Sequence, residues 1–203
     1  MYLVGLTGGI AAGKSAVATR WVELGAVEID ADLLARRAVA PGSTGLKEVV
    51  SLFGAEILSV DGSLDRAKLA ELVFDDSRHR GQLESIVHPI VRQLAKEQMA
   101  SCHADAIVIY TVPLLVEAEV EHPFDIVVTV EAPEEVRVER MMQSRGMTRQ
   151  QAISRLKSQA SAAERANRAD VILNSNQSLQ LLLADADNLW KRFTREASNK
   201  LGA

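Results

Sequence analysis

Eight consecutive residues near the amino terminus have the types and spacing of a phosphate-binding loop. They fit the pattern G-x-x-x-x-G-K-[ST] and read Gly8, Gly9, Ile10, Ala11, Ala12, Gly13, Lys14 and Ser15. The glycines let successive N–H groups converge on phosphate oxygens, the lysine reaches the outer phosphates, and the serine hydroxyl is a ligand for Mg²⁺. The run therefore predicts a site for a nucleotide polyphosphate with Mg²⁺, and the alternative is a structural glycine-rich turn.

Two carboxylates, Asp30 and Asp32, directly follow a strand-like segment at 27–29. Because ligands of parallel α/β sheets bind at the carboxyl ends of the strands, both carboxylates are expected at the same rim as the phosphate loop. In phosphoryl transfer an aspartate there takes the proton of an acceptor hydroxyl or holds water on the magnesium. The alternative is that one of them caps a helix that begins near Leu33.

The segment from Arg137 to Arg168 holds eight basic residues and two acidic ones, although the whole chain has a net charge of −4. Such a segment is a solvated helix face, a nucleic-acid surface, or a set of arginines that close over a polyphosphate. A nucleic-acid partner is disfavoured because the segment contains no aromatic residue for base stacking. Arg140 and Arg145 are the candidates for neutralising charge on a transferring phosphoryl group.

These residues need a scaffold, and the hydrophobic pattern predicts strands that alternate with helices. The phosphate loop lies between a strand-like segment at 2–6 and a helix-like segment at 15–24. Further strand-like segments lie at 27–29, 107–112, 124–130 and 171–173. Helices are predicted from Glu134 to about Gln143, after a capping box at Thr148 and Gln151, and along a carboxyl-terminal apolar face that includes Leu179. The pattern indicates an α/β fold with a mostly parallel sheet covered on both sides.

Residues 55–105 break this alternation and indicate a helical insertion. A turn at Asp61-Gly62-Ser63 precedes two helix-like stretches, at 65–74 and 78–100. His88-Pro89 falls inside the second stretch, where proline removes a backbone donor, so we expect that helix to kink or restart there.

Length and composition favour one compact domain of 203 residues with 47% hydrophobic and 25% charged residues. The modest charge argues against an acidic disordered tail and a globally basic coat protein. One cysteine, Cys102, offers no internal disulfide, which favours a cytoplasmic location. No apolar run approaches the ~20 residues of a membrane-spanning helix, so no membrane partner is expected.

In their order along the chain, these motifs resemble those of the dephospho-coenzyme A kinase family. The matching elements are the loop from Leu6, Ile29-Asp30-Ala31-Asp32, Asp61-Gly62-Ser63-Leu64-Asp65-Arg66, His88-Pro89, Val112-Pro113-Leu114-Leu115-Val116-Glu117, and Gln159 with Arg165 and Ala169-Asp170. The resemblance implies transfer of the γ-phosphoryl group of ATP to the ribose 3′-hydroxyl of dephospho-coenzyme A. The products are coenzyme A and ADP, and the reaction is the last step of coenzyme A synthesis.

The same resemblance implies a P-loop fold like that of nucleoside-monophosphate kinases, with a five-stranded parallel sheet flanked by helices. Within one domain over residues 1–203, the core comprises 1–54, 105–135 and 166–203. A helical coenzyme-A-binding lobe is implied at about 55–104, and a lid at about 136–165. A monomer is the favoured expectation for the oligomeric state.

Residue roles are carried over from the family position by position. Asp32 is implied to be the base, Lys14 to steady the β- and γ-phosphates, Arg140 to meet the transferring group, and Ser15 to hold Mg²⁺. Besides the loop, the nucleotide site is implied to include Ala16, Arg145, Asn174 and Asn176. The acceptor site is implied to include Thr7, Asp32, Arg66, His88, Pro113 and Leu114.

The chain departs from the family pattern at two places. Ala11-Ala12 stands where the family loop often has Gly-Ser, and Thr111 stands where a strand-end aspartate is often found. We therefore expect magnesium to depend on Ser15, the phosphates and a water-mediated contact to Asp30 or Asp32. Two alternatives stay open: another small-molecule or nucleoside-monophosphate kinase of this fold, and a non-catalytic nucleotide switch. The lack of a guanine-reading Asn/Thr-Lys-x-Asp motif disfavours a GTPase.

Overall fold

The computed structural model of the chain describes residues 1–74, 76–112, 115 and 122–202, which form two compact units. Residues 1–29 and 102–203 form the sheet unit, and residues 30–101 form the helical unit. The helical unit therefore begins at Asp30, whereas the sequence suggests a helical lobe from about residue 55. The reason lies in the contacts of two early helices, which pack against the long helix of the same unit.

A five-stranded parallel sheet in the order β2-β3-β1-β4-β5 forms the centre of the fold. The strands are β1 (Tyr2–Gly8), β2 (Val27–Asp30), β3 (Ile107–Thr111), β4 (Ile126–Glu131) and β5 (Val171–Asn174). All seven residues of β1 are buried, because β3 and β4 pair with it on either side. The predicted α/β class and the five-stranded parallel sheet flanked by helices are confirmed.

The helices of the sheet unit bury one face each against this sheet or against one another. They are α1 (Lys14–Glu23), α6 (Glu134–Arg145), α7 (Arg149–Lys157), α8 (Ala162–Arg168) and α9 (Leu179–Leu201). Trp21 of α1 is fully buried, its Nε1–H donates to the carbonyl oxygen of Ala186 at 2.9 Å, and its ring lies 5.1 Å from that of Phe193. Leu179, predicted on the packed face, is 60% exposed because it is the first residue of α9.

Local capping explains where the helices of the basic segment begin and end. The predicted capping box of Thr148 and Gln151 is confirmed at α7. Ser161 and Glu164 form a second capping box at α8, which the sequence interpretation did not include. Helix α6 starts at Glu134 as predicted and ends at Arg145, because Gly146 adopts a left-handed φ of 62°.

The helical unit contains α2 (Ala31–Ala38), α3 (Thr44–Phe53), α4 (Arg66–Phe74) and α5 (Ser77–Ala100). Helix α5 continues through Pro89, so the expected restart at that residue is wrong. Helix α5 packs against α2, α3 and α4, and this packing stabilises the helix despite the proline. Asp76 caps its first turn, accepting the N–H groups of Arg78 and His79.

In the part of the chain that the structure describes, no helix combines the length and the apolar character that crossing a membrane requires.

Candidate active site

The glycine-rich segment turns from the end of β1 into α1 with two residues in left-handed backbone conformations. Ala11 has φ 59° and Gly13 has φ 101°. The N–H of Ala12 donates to the carbonyl oxygen of Gly9 at 3.0 Å, which closes the first turn of the loop. Two reversals of backbone handedness within three residues, at the start of a helix, make a concave row of N–H groups that suits phosphate oxygens.

Gly8 lets β1 approach β4 where the loop begins. Its φ is 152°, and a Cβ added there would lie 2.6 Å from the carbonyl oxygen of Val130. Any side chain at this position would therefore separate the two central strands. Gly8 therefore keeps the first residue of the loop in close contact with β4.

Arg137 of α6 and Gln159 hold the first half of the loop at Ile10. Nε of Arg137 donates to the carbonyl oxygen of Ile10 at 3.0 Å, and Oε1 of Gln159 accepts the N–H of Ile10 at 2.9 Å. Arg137 is only 3% exposed, and its guanidinium lies directly over Gly9. Both polar groups of the Ile10 peptide region are thus engaged by side chains of the basic segment.

Arg140 and Ser175 hold the second half of the loop. Nη1 of Arg140 donates to the carbonyl oxygen of Ala11 at 3.2 Å and to Oγ of Ser175 at 3.0 Å, and Nη2 donates to the Ser175 carbonyl oxygen at 2.7 Å. The hydroxyl of Ser175 in turn donates to the carbonyl oxygen of Ala12. Arg140 therefore joins α6 to the loop and to the chain just after β5.

A buried ion pair lies beneath these contacts. Arg165 of α8, 1% exposed, donates from Nε and Nη2 to both carboxylate oxygens of Glu131 at 2.6 and 2.8 Å. The hydroxyl of Thr129 donates to the same carboxylate at 2.8 Å, and the N–H of Ser175 donates to the Glu131 carbonyl oxygen at 2.7 Å. The carboxyl end of β4 thereby fixes α8 and the Ser175 turn together.

The electrostatic surroundings of Arg137 disfavour its positive charge. Burial, and secondarily the neighbouring guanidinium of Arg165, lower the pKa of Arg137, while Glu131 and Glu134 act in the opposite direction. A cavity of about 620 Å³ adjoins this arginine, and its walls include Glu135, Arg149 and Gln159. The cavity thus shares Arg137 and Gln159 with the contacts that hold the phosphate loop at Ile10.

The family model of dephospho-CoA kinase matches residues 2–180 of this chain. The chain belongs to the dephospho-CoA kinase family. A dephospho-CoA kinase from Streptomyces avermitilis is 44% identical over 197 residues, which cover 97% of this chain and 96% of that protein. A crystal structure of a Thermus thermophilus protein has a TM-score of 0.80 at 34% identity, covering 94% of this chain and 97% of that one. For a dephospho-CoA kinase from Campylobacter jejuni the TM-score is 0.66 at 25% identity, with 95% and 97% covered.

Family membership confirms the resemblance predicted from the ordered motifs and makes the chain a kinase. In the sheet unit, Lys14 is the first residue of α1 and is half-buried, and Ser15 beside it is exposed. Thr7, at the other end of the loop, is fully buried in β1. These three dephospho-CoA kinase positions border the glycine-rich turn on its two sides.

The remaining nucleotide positions inferred from the dephospho-CoA kinase family lie at element ends. Ala16 donates its N–H to the carbonyl oxygen of Gly13 at 3.1 Å within the first turn of α1. Arg145 is the exposed last residue of α6. Asn174 ends β5, and its Oδ1 accepts the N–H of Asn176 at 2.8 Å, so both asparagines belong to one tight turn beside Ser175.

The acceptor positions inferred from the dephospho-CoA kinase family lie mainly in the helical unit. Asp30 caps α2, because its carboxylate accepts the N–H groups of Asp32 and Leu33 at 2.7 and 3.3 Å. Asp32 is exposed in the first turn of that helix. Arg66 begins α4 and is exposed, and His88 is half-buried on α5. Pro113 and Leu114 lie outside the described residues.

Thr111, which replaces the aspartate often found in the dephospho-CoA kinase family, donates its hydroxyl to Oε1 of Glu28 at 2.9 Å. The carboxylate of Glu28 reaches this strand end from β2. The sequence interpretation did not include Glu28, because nothing along the chain relates it to residue 111. Only the pairing order of β2 and β3 makes the two side chains neighbours.

The sequence interpretation also missed Arg137, Glu131 and Ser175 as residues that shape the phosphate loop. A usable signal existed for Arg137: it stands three residues before Arg140, and residues i and i+3 share a helix face. No comparable spacing marks Glu131 or Ser175, which act through the ends of β4 and β5.

Proposed function

We propose that this protein transfers the γ-phosphoryl group of ATP to the ribose 3′-hydroxyl of dephospho-coenzyme A, giving coenzyme A and ADP. The observation that carries the proposal is the phosphate loop, with Ala11 and Gly13 in left-handed conformations before α1, in a chain matched by the dephospho-CoA kinase family over residues 2–180. The relatives that share this length are named for the same reaction.

At the nucleotide, the loop N–H groups hold the phosphates and Lys14 steadies the β- and γ-phosphates. Arg140 neutralises charge near the transferring group, a role supported by its bond to the loop carbonyl of Ala11. Arg145, Asn174 and Asn176 complete the nucleotide site. The exposed Ser15 hydroxyl in the first turn of α1 is a hard oxygen ligand that fits Mg²⁺, which neutralises phosphate charge when bound.

At the acceptor, Asp32 takes the proton of the 3′-hydroxyl as that oxygen forms its bond to the γ-phosphorus. The bond from the γ-phosphorus to the β–γ bridging oxygen breaks, and ADP leaves with that oxygen. Capping of α2 accounts for the carboxylate of Asp30, which supports the choice of Asp32. Thr7, together with Arg66, His88, Pro113 and Leu114, lines the acceptor site.

Residues at about 55–104 supply the coenzyme-A-binding lobe in this proposal, and residues at about 136–165 supply the lid. A lid is needed because water that reached the γ-phosphate would hydrolyse ATP. The protein acts as a monomer in the cytoplasm, and the single cysteine agrees with a reducing compartment.

The direct test is an assay of ADP release with ATP and magnesium. It compares dephospho-coenzyme A with AMP, CMP, shikimate, pantothenate and no acceptor. Turnover with dephospho-coenzyme A alone is expected. Activity confined to another acceptor would retain the kinase fold and refute the proposed substrate, and tight ATP binding without any turnover would support a nucleotide switch.

The assignment of the base is tested by a pair of neighbouring variants. Asp32→Asn is expected to lower turnover by about 10²- to 10⁴-fold, because it removes the proton acceptor. Asp30→Asn is the matched control, since asparagine caps helices as well as aspartate does, and its turnover is expected within a few-fold of wild type. A larger loss in Asp30→Asn than in Asp32→Asn would reverse the two roles.

A further inference from the structure

Arg137 is a buried cation whose charge has no carboxylate partner among the described residues. Its side chain donates from Nε to the carbonyl oxygen of Ile10, which is a neutral group. The carboxylate of Glu131, which is 13% exposed, is occupied by Arg165 through two hydrogen bonds. Arginine side chains are rarely this buried without an ion pair, because desolvation of the charge is costly.

The surroundings of this guanidinium fix its orientation. The bond from Nε to Ile10 sets its plane, and the terminal nitrogens lie where a side chain of Gly9 would be. A Cβ built on Gly9 would stand 2.6 Å from Cζ and Nη2 and 2.7 Å from Nη1 of Arg137. The absence of a side chain at Gly9 therefore makes room for the guanidinium group. Its terminal nitrogens lie against the loop in the protein without ligand.

The charges that face Arg137 come from three elements. Arg165 of α8 repels it, and Glu131 of β4 and Glu134 of α6 attract it, with burial as the largest influence, so the pKa of Arg137 is lowered. The carboxylate of Glu131 is already shared with Arg165 and Thr129. The positive charge of Arg137 is therefore incompletely neutralised by the protein. An anionic ligand bound beside the loop would compensate it.

We propose that the terminal nitrogens of Arg137 bind phosphoryl oxygens of ATP next to Gly9, adding a side-chain donor pair to the N–H groups of the phosphate loop. The proposal rests on the phosphate-binding role of the loop and extends it to a residue outside the loop. Guanidinium groups suit phosphate because two parallel N–H donors meet two oxygens. Arg137 contacts the first half of the loop and Arg140 the second, so the two arginines act on different parts of the phosphate chain.

The test measures affinity by calorimetry with sodium tripolyphosphate and, separately, with ATP, at about 0.15 M ionic strength. Arg137→Gln is expected to weaken both ligands by about 10- to 100-fold, the usual effect of losing hydrogen bonds to a charged group. The affinity of Arg137→Lys is expected to lie between those of Arg137→Gln and wild type. Lysine keeps the positive charge but lacks the two parallel N–H donors of a guanidinium group. Arg195→Gln, which removes an exposed charge from α9, serves as the matched control and is expected to change affinity less than about twofold.

A second route reaches the same site without changing the arginine. Gly9→Ala displaces the guanidinium, and the double variant Gly9→Ala/Arg137→Gln is expected to bind tripolyphosphate no more weakly than the weaker of the two single variants. Additive losses would contradict a shared site. Arg137→Met, of similar length and without polar atoms, replaces Arg137→Gln if thermal melting shows that the glutamine variant is unfolded.

The proposal is overturned if folded Arg137→Gln, or Arg137→Met in its place, binds tripolyphosphate and ATP as tightly as Arg195→Gln does. These measurements need no acceptor. Failure of dephospho-coenzyme A as a substrate would therefore leave the result for Arg137 unaffected, and the two proposals fail separately.

Discussion

The two neighbouring alanines of the phosphate loop are expected to respond to glycine substitution with opposite signs. Ala11 adopts φ 59°, the left-handed region that disfavours a Cβ, and it is partly buried. Ala12 is fully buried and lies outside the positive-φ region. Ala11→Gly and Ala12→Gly thus delete the same methyl group from two different backbone conformations.

The expected magnitudes follow from these two environments. Ala11→Gly relieves about 1–2 kcal/mol of left-handed strain. It also adds about 0.4–1 kcal/mol of chain entropy to the unfolded state and loses a part-buried methyl, so we expect a net gain of roughly 0.5 kcal/mol. Ala12→Gly loses about 0.8 kcal/mol of burial and has the same entropy cost, so we expect a net loss of roughly 1.5 kcal/mol.

Thermal melting of the nucleotide-free protein measures the contrast without interference from ligand binding. For a chain of this size about 1 kcal/mol corresponds to 2–4 °C. Ala12→Gly is therefore expected to melt about 3–6 °C below wild type, and Ala11→Gly about 1–2 °C above it. If Ala11→Gly melts as low as Ala12→Gly, the left-handed angle carries no strain and the reasoning is refuted.

Three further predictions concern the surroundings of the loop. Glu131→Gln leaves the buried charge of Arg165 uncompensated and is expected to lower the free energy of unfolding by about 3–5 kcal/mol in denaturant titrations. An unchanged midpoint would show that the pair is not buried in solution. Gly8→Ala forces a Cβ against the β4 carbonyl and is expected to cost about 1–3 kcal/mol in the same titration and to weaken ATP binding; wild-type values for both would contradict the close strand contact. The Arg20 guanidinium lowers the pKa of Asp187 below its ordinary value of 3.8. The ionised carboxylate therefore stabilises the fold fully at pH values above 3.8, and this contribution is lost as the pH falls through the lowered pKa. Asp187→Asn is therefore expected to be less stable than wild type at pH 7 and equal to it at strongly acidic pH, and a difference that persists in acid would exclude this linkage.

The sequence predicts the elements of the sheet unit well where hydrophobic pattern and capping agree. Helix α6 begins at Glu134 because proline and carboxylates mark its first turn, and Thr148 with Gln151 marks α7. At Pro89 a local rule predicts a kink or a restart, and the restart does not occur. Tertiary contacts of α5 outweigh that rule, and no local pattern reports them.

For the candidate site, the sequence predicts residues that belong to a contiguous motif of known chemistry, such as Lys14 and Ser15. It misses residues whose role arises from strand order. Glu131 matters because Arg165 returns to the end of β4 from a helix 34 positions later in the chain. Ser175 matters because the end of β5 reaches the loop carbonyl of Ala12. Such relations depend on the packing of the sheet and helices.

The close approach of Gly9 and Arg137 restricts the order in which the two positions can be exchanged during evolution. A methyl group at position 9 would stand 2.6 Å from the guanidinium carbon, so alanine is incompatible with arginine in its present place. A shorter residue at position 137, by contrast, is sterically compatible with Gly9. A change at position 137 that precedes one at position 9 therefore leaves no clash, whereas the reverse order requires the guanidinium to move.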